Sequence, residues 1–323
     1  MPKILHTYRY SGRPWEILQS VAPEGFFVKT LDEPTYEQLL REVGDADYFL
    51  VSGRLPIDKA VLDAAPNLKM IQRTGVGTEM LDIDEIKRRG IPVYVNFGIN
   101  ARSVAEHTMA LILGCMKRLC VVNAQVKNGV WKKQETGTSC HELYGKTVGI
   151  VGMGSIGRLV ASYLNCFGAH VVYTDKYRLP IEKEKELNVD YFPSFINMLP
   201  IVDILTFHCP LTDENREMLN ESSLSMMKPG SIVVNTARGK LIDETALYNS
   251  LFDGRIASAG LDVHFEEPIQ KDSPLCKLNN VILSPHIAGL SYEAFYSMMK
   301  GAMDNIRAFE ENRLDEISDK KLF

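Results

Sequence analysis

The stretch Val148-Gly149-Ile150-Val151-Gly152-Met153-Gly154-Ser155-Ile156-Gly157 constrains this chain more than any other. An apolar run of strand character leads into G-x-G-x-x-G, a helix-like segment follows, and a second apolar run ends at Asp175. Each part has a mechanical reason. Gly152 permits the tight turn out of the strand, Gly154 lets backbone approach a pyrophosphate, and Gly157 lets the helix lie close to the strand. The free N–H groups and partial positive charge of the helix N-terminus favour a bound phosphate. A carboxylate at Asp175 is placed to accept hydrogen bonds from the ribose hydroxyls of an adenosine. Glycine-rich turns alone are common; strand, glycines, helix, second strand and terminal acid in this order predict a dinucleotide site. The Asp175 charge would repel a 2′-phosphate, which favours NAD over NADP, although Lys176 and Arg178 follow directly.

The rest of the chain repeats the alternation of strand and helix. Apolar runs at 3–7, 26–29, 47–52, 68–72 and 93–95 read as short buried strands, with helical patterns at 36–43, 58–65 and 82–89. A second series, at 147–151, 170–174, 203–207, 231–235, 258–261 and 281–284, predicts six strands of a doubly wound sheet. Between the series lies 101–125, apolar-rich and read as one long helix with Ser103 and Glu106 as its start signal. A last helix is expected at 292–311. Such alternation implies right-handed β-α-β units and parallel sheets. The expected fold is α/β with two doubly wound parallel-sheet domains. A Rossmann dinucleotide-binding domain, 100–288, is inserted into a flavodoxin-like substrate domain made of 1–99 and 289–323.

A chain of 323 residues, 45% apolar and 24% charged, can build two ordinary cores. A net charge of −5 without a long basic run argues against nucleic acid or an anionic membrane as partner. The six cysteines are scattered and form no C-x-x-C pair, which points to reduced thiols in the cytoplasm rather than a disulfide or zinc framework. No His/Cys/Asp/Glu grouping has metal-ligand spacing, so no metal is expected. Residues 1–6 lack the apolar stretch of a secretion signal, and no run approaches membrane-spanning length.

Three polar residues follow apolar strands. Arg238 ends V-V-N-T-A-R, Glu267 lies in L-D-V-H-F-E-E-P, and His286 ends I-L-S-P-H. The C-terminal strand ends of an open parallel sheet border its ligand crevice, so these side chains can converge there. A guanidinium can hold a carboxylate through two parallel hydrogen bonds and polarise the neighbouring oxygen. An imidazole can give a proton to a developing alkoxide and take it back in the reverse direction, with a carboxylate orienting the ring. The set suits hydride transfer to a carbonyl beside a carboxylate. Taken singly, the arginine reads as a surface ion pair and the histidine as structural; their shared placement reverses both readings. Glu266 rivals Glu267. His107 and His264 read as structural, Asp243 as a helix cap and Asp203 as a strand-start residue.

On G-M-G-S-I-G, His208-Cys209-Pro210-Leu211-Thr212, N-T-A-R-G, L-D-V-x-x-x-E-P and S-P-H-I-A-G, the chain resembles the NAD-dependent D-isomer-specific 2-hydroxyacid dehydrogenases over essentially its whole length. The resemblance implies Arg238 as anchor of the substrate carboxylate, His286 as acid/base and Glu267 as its partner. It implies NAD contacts at Gly152, Gly154, Ser155, Ile156, Gly157 and Asp175. Further contacts are implied at Thr108, Pro210, Thr236, Ala237 and Gly289, with Asp262 holding the nicotinamide carboxamide. His208 either borders the nicotinamide or is a structural strand-end histidine. The N–H groups of Val76 and Gly77 match a loop that grips the substrate carboxylate, and Arg54 and Arg73 are either phosphate-reading residues or surface ion pairs. Phe97, Glu79 and Ala288 depart from residues common in the family, which bears on substrate detail. The reaction implied joins NAD(H) to a D-2-hydroxy acid or 2-oxoacid, with 3-phosphoglycerate, hydroxypyruvate or glyoxylate as substrate. Formate dehydrogenases carry glutamine where Glu267 stands. The alternatives on this scaffold are a phosphite dehydrogenase and an NAD(H)-sensing, corepressor-like binding protein. A homodimer built on helix 101–125 and Trp131 is also implied.

Overall fold

A computed structural model describes all residues from Met1 to Phe323, and the chain divides into two compact units. The first comprises Met1–Asn100 and Tyr292–Phe323, the second Ala101–Ser291. The first unit holds β1 (Lys3–His6), β2 (Phe27–Thr30), β3 (Tyr48–Val51), β4 (Met70–Arg73) and β5 (Val93–Tyr94). They form a parallel sheet of order β2-β1-β3-β4-β5, a flavodoxin-like order. Ile4, Tyr48, Leu50 and Met70 pack on one face with helix Tyr292–Glu310, while Leu5, Phe49, Val51 and Ile71 pack on the other. Burial on both faces is why these strands read as unbroken apolar runs.

The second unit holds β6 (Thr147–Val151), β7 (His170–Thr174), β8 (Val189–Tyr191), β9 (Ile204–Phe207), β10 (Ser231–Asn235), β11 (Ile256–Leu261) and β12 (Val281–Leu283). All pair in parallel, in the order β12-β11-β10-β9-β6-β7-β8. The strand order reverses at β6, which places the Gly152 turn at the switch point, where such sheets bind ligands. Seven strands form where six are expected. The additional one, β8, is a three-residue edge strand too short to show a period.

The expected helix over 101–125 is two helices, Ala101–Met116 and Leu119–Lys127, bent by 60°. Arg118 adopts a left-handed conformation (φ 51°), which ends the first helix. Burial changes at the same point: the first helix buries much of its surface, whereas the second buries none of its residues. Ser103 does not cap the first helix, which starts at Ala101. Its Oγ instead donates to Ala288 O at 2.7 Å, tying the helix to the loop after β12. Asp58 and Asp82 are caps of their helices rather than members, accepting from Val61 N and Glu85 N. Asp243 caps Glu244–Phe252 through Thr245 N and Ala246 N. No single helix is long and apolar enough to cross a membrane.

Candidate active site and cofactor cradle

The cradle starts at the end of β6. Gly152 has φ 99°, and a Cβ there would sit 2.7 Å from His208 C and Cys209 N, so only glycine lets this turn pass under the loop after β9. A Cβ on Gly157 would lie 2.2 Å from Gly152 O, so the helix Ser155–Cys166 meets the strand at backbone contact. Gly154 and Ser155 are exposed at the helix start, and a Cβ on Gly154 would meet nothing within 4 Å. The opening is therefore on the side where a pyrophosphate would bind the N–H groups of Ser155, Ile156 and Gly157. Asp175 stands at its edge, accepting from Met153 N at 2.6 Å and Tyr177 N at 2.8 Å. These residues fit a dinucleotide.

Arg178 is bound to Glu184 by two hydrogen bonds of 2.9 Å, and Glu184 also accepts from Tyr173 Oη. These bonds hold the Glu184 carboxyl down to about 2. The arginine that qualified the preference for NAD is thus committed to a buried carboxylate. His208 donates or accepts at Thr206 Oγ1 (3.0 Å), and burial pushes its imidazole down to about 3, which keeps it neutral. Pro210 is exposed in the same loop, its carbonyl accepting from Asn215.

The loop after β10 is shaped by Asn235, which has no exposed surface. Its side chain donates to Arg238 O (2.8 Å) and accepts from Ala237 N (3.0 Å), folding Thr236–Arg238 back over the strand end. Arg238 Nη1 donates to Ala237 O at 2.8 Å. Thr236 Oγ1 lies 2.9 Å from Thr108 Oγ1; Thr108 is wholly buried and also bonds Val104 O, so it supports the loop from the helix. Gly239 makes the closest approach in the site: a Cβ there would lie 1.9 Å from His264 O. The loops carrying Arg238 and Glu267 therefore touch through backbone.

Glu267 Oε2 pairs with His286 Nδ1 at 2.7 Å, and Glu267 Oε1 accepts from His264 N at 3.1 Å. Burial alone would raise the Glu267 carboxyl; the His286 hydrogen bond and charge, with the His264 N–H, outweigh it and hold the group below its ordinary value. His286 has φ 55°, a backbone conformation that histidine tolerates better than most residues. Asp262 fixes this loop. Wholly buried, it accepts from Ser284 Oγ (2.6 Å), Ile287 N (3.0 Å) and Ala288 N (2.8 Å), and its carbonyl accepts from His286 N (2.8 Å). Asp262, implied as the nicotinamide ligand, also clamps the His286 loop: Oδ1 accepts from Ser284 Oγ and Ile287 N, and Oδ2 from Ala288 N. Gly289, partly exposed, ends that loop.

In the first unit, Arg73 is buried and turned into its own loop. Its Nε donates to Gly77 O (2.6 Å) and its Nη1 to Val51 O (2.9 Å). Val76 and Arg54 are exposed. Burial pushes the Tyr10 phenol up to about 12 against the opposing pull of the Arg54 and Arg73 charges. Sequence reasoning missed Tyr10, as it missed Asn235, Gly239 and Ser284. The signal for the last three was present: each is a small or polar residue at or shortly after a strand end inside a motif.

A dinucleotide cradle on the sheet that carries an arginine, an imidazole and its carboxylate partner defines an NAD-dependent dehydrogenase. Comparison with known proteins agrees. Residues 109–288 match the model of the D-isomer specific 2-hydroxyacid dehydrogenase NAD-binding domain. The chain is 38% identical over 283 residues to a glyoxylate reductase of Korarchaeum cryptofilum, covering 87% of this chain and 85% of that enzyme. It is 39% identical over 268 residues to a D-3-phosphoglycerate dehydrogenase of Mycobacterium leprae, covering 83% of this chain but 50% of that enzyme. The crystal structure of D-lactate dehydrogenase from Aquifex aeolicus, complexed with NAD and lactic acid, is similar with a TM-score of 0.86 at 28% identity, covering 99% of this chain and 98% of that one. The chain belongs to the D-isomer-specific 2-hydroxyacid dehydrogenases. It is an NAD-dependent oxidoreductase of hydroxy acids.

Proposed function

We propose that the chain interconverts a small 2-oxoacid of the glyoxylate or hydroxypyruvate type and the matching D-2-hydroxy acid. The observation that carries the reading is the His286–Glu267 pair. With Nδ1 engaged at 2.7 Å, Nε2 is the ring nitrogen left for a substrate oxygen. Arg238 holds the substrate carboxylate and draws charge from the neighbouring carbonyl. His286 Nε2 gives its proton to the carbonyl oxygen in reduction and takes it back in oxidation. Glu267 keeps Nδ1 protonated and balances the imidazolium charge. The residues Gly152, Gly154, Ser155, Ile156, Gly157 and Asp175 would hold NAD, which when bound supplies or accepts the hydride. The N–H groups of Val76 and Gly77, in the first unit, are proposed as donors to a carboxylate.

A small acid is favoured over 3-phosphoglycerate because two donors of Arg73 are spent on backbone carbonyls, Gly77 O in its own loop and Val51 O at the end of β3. Exposed Arg54 is the feature that favours a phosphorylated substrate. A homodimer is supported by Leu119–Lys127, which buries no residue of its own, and by Trp131, 80% exposed. Cytoplasmic placement is supported by six free cysteines.

The test is NADH consumption across a panel of 2-oxoacids, with and without a phosphate group. Glyoxylate and hydroxypyruvate are expected to turn over, and His286→Asn to lower kcat by about a hundredfold or more. Near-normal turnover in His286→Asn removes the acid/base assignment. Activity confined to phosphorylated acids removes the substrate choice.

A further inference from the structure

We propose that His107, on the helix Ala101–Met116, is a positioning residue for the catalytic loop, acting through Ser284 and Asp262; the proposal rests on His286 being the acid/base. Hydrogen-bond bookkeeping around Ser284 fixes the direction of every bond. Ser284 Oγ has one proton and lies 2.6 Å from Asp262 Oδ1 and 3.0 Å from His107 Nε2. A carboxylate oxygen there can only accept, so the hydroxyl proton goes to Asp262. Ser284 Oγ must then accept from His107, and His107 carries its proton on Nε2.

His264 is fixed in the same way. Its Nε2 lies 3.0 Å from the carbonyl oxygen of Ser284, an acceptor only, so this ring too is protonated on Nε2. Two imidazoles thus donate into one residue, one to its hydroxyl and one to its carbonyl. Ser284 stands two positions before His286. It passes the restraint to Asp262, which grips Ile287 N and Ala288 N on the other side of the histidine. The His286 backbone is pinned from both flanks in a left-handed conformation that the chain would otherwise leave.

The charge pattern supports the assignment. His107 Nε2 is also 3.6 Å from Asp262 Oδ1, so its N–H bond points positive charge toward a wholly buried carboxylate. The His107 side chain is 25% exposed, so it is reachable by substitution without emptying the core. Glutamine at this position can present an amide donor where Nε2 stands; leucine fills similar space and donates nothing.

The experiment compares His107→Gln and His107→Leu in the full chain with NADH and glyoxylate, alongside long-range 1H–15N spectra of histidine-labelled wild type. The spectra should show the Nε2–H tautomer for His107 and His264 at about pH 8, above the ordinary histidine range. His107→Leu should lower kcat by about fivefold to tenfold, the worth of one lost positioning hydrogen bond, with KM for glyoxylate changed less than about twofold. His107→Gln should restore most of the loss. Equal kcat in wild type and His107→Leu overturns the proposal, as does an Nδ1–H tautomer for His107 or a glutamine variant as impaired as leucine. If His107→Leu does not fold, the tautomer alone decides. If His286→Asn keeps full turnover, the acid/base reading falls while the tautomer result still reports on the His107–Ser284 tie.

Discussion

Replacing Gly239 by alanine separates the two halves of the proposed catalytic site without touching a proposed reactive group. The new Cβ would lie 1.9 Å from His264 O, 2.0 Å from His264 C and 2.6 Å from Phe265 N. All three are backbone atoms, so no side chain can swing away. Reaching even a 3.0 Å contact requires the loops to part by about 1 Å, an overpacking cost of about 1–3 kcal/mol or more. One loop carries Arg238 and the other Glu267, which orients His286. A displacement of about 1 Å at reacting groups can cost about a hundredfold in rate. The expected outcome is a fall of about a hundredfold in kcat/KM for glyoxylate, with NADH still bound, since the Gly152 turn that would hold its pyrophosphate lies on another strand. Gly154→Ala supplies the opposite case. Its Cβ meets no protein atom within 4 Å, so the melting temperature should hold while NADH affinity falls. Stopped-flow reduction and NADH fluorescence titration on both variants measure this. Wild-type kcat/KM in Gly239→Ala would refute the claim that backbone contact sets the distance between the two loops.

Asp175→Asn keeps an oxygen for Met153 N but removes the charge; NADH should bind about tenfold more weakly, and NADPH should gain little because Arg178 is tied to Glu184. Strong NADPH binding by that variant, measured by fluorescence titration, would show that Arg178 leaves its partner. The depressed Glu184 carboxyl gives a pH signature. Its value is about 2 in the folded chain against an ordinary 4.5, so its contribution is present above 4.5 and lost as pH falls toward 2. Urea midpoints measured down that range should fall less steeply for Glu184→Gln than for wild type, and parallel curves would contradict the assignment.

Much of this architecture is legible in the residues because parallel strands covered on both faces leave continuous apolar runs. Thr147–Val151, His170–Thr174 and Ser231–Asn235 coincide with their predicted spans. What escapes is local. Apolar spacing continues through Lys117 and Arg118, so no period marks the left-handed residue that splits the helix. The second helix is apolar yet unburied, which hydrophobicity alone cannot distinguish from core. At the site, Arg238, Glu267 and His286 are conspicuous because charged or ionisable residues rarely follow buried strands without reason. Asn235 and Ser284 are not, since either reads equally well as a turn residue until its partners are known.

Those partners explain why the sheet can hold reactive groups so close to its edge. Each of β10 and β11 is followed by a fully buried polar residue or ends in one: Asn235, whose side chain bonds backbone groups of its own following loop, and Asp262, whose side chain bonds those of the loop after β12. These two residues satisfy N–H and C=O groups that would otherwise be stranded at strand ends, and in doing so fix loop shape. The side chains proposed as reactive stand one step further out, on backbone already held. It follows that exchanging a reactive group should cost activity with little loss of stability, whereas exchanging a clamp should cost both. Asp262 sits at the junction of the two classes: its carboxylate secures Ile287 and Ala288 on one flank of His286, and through Ser284 it is coupled to the other.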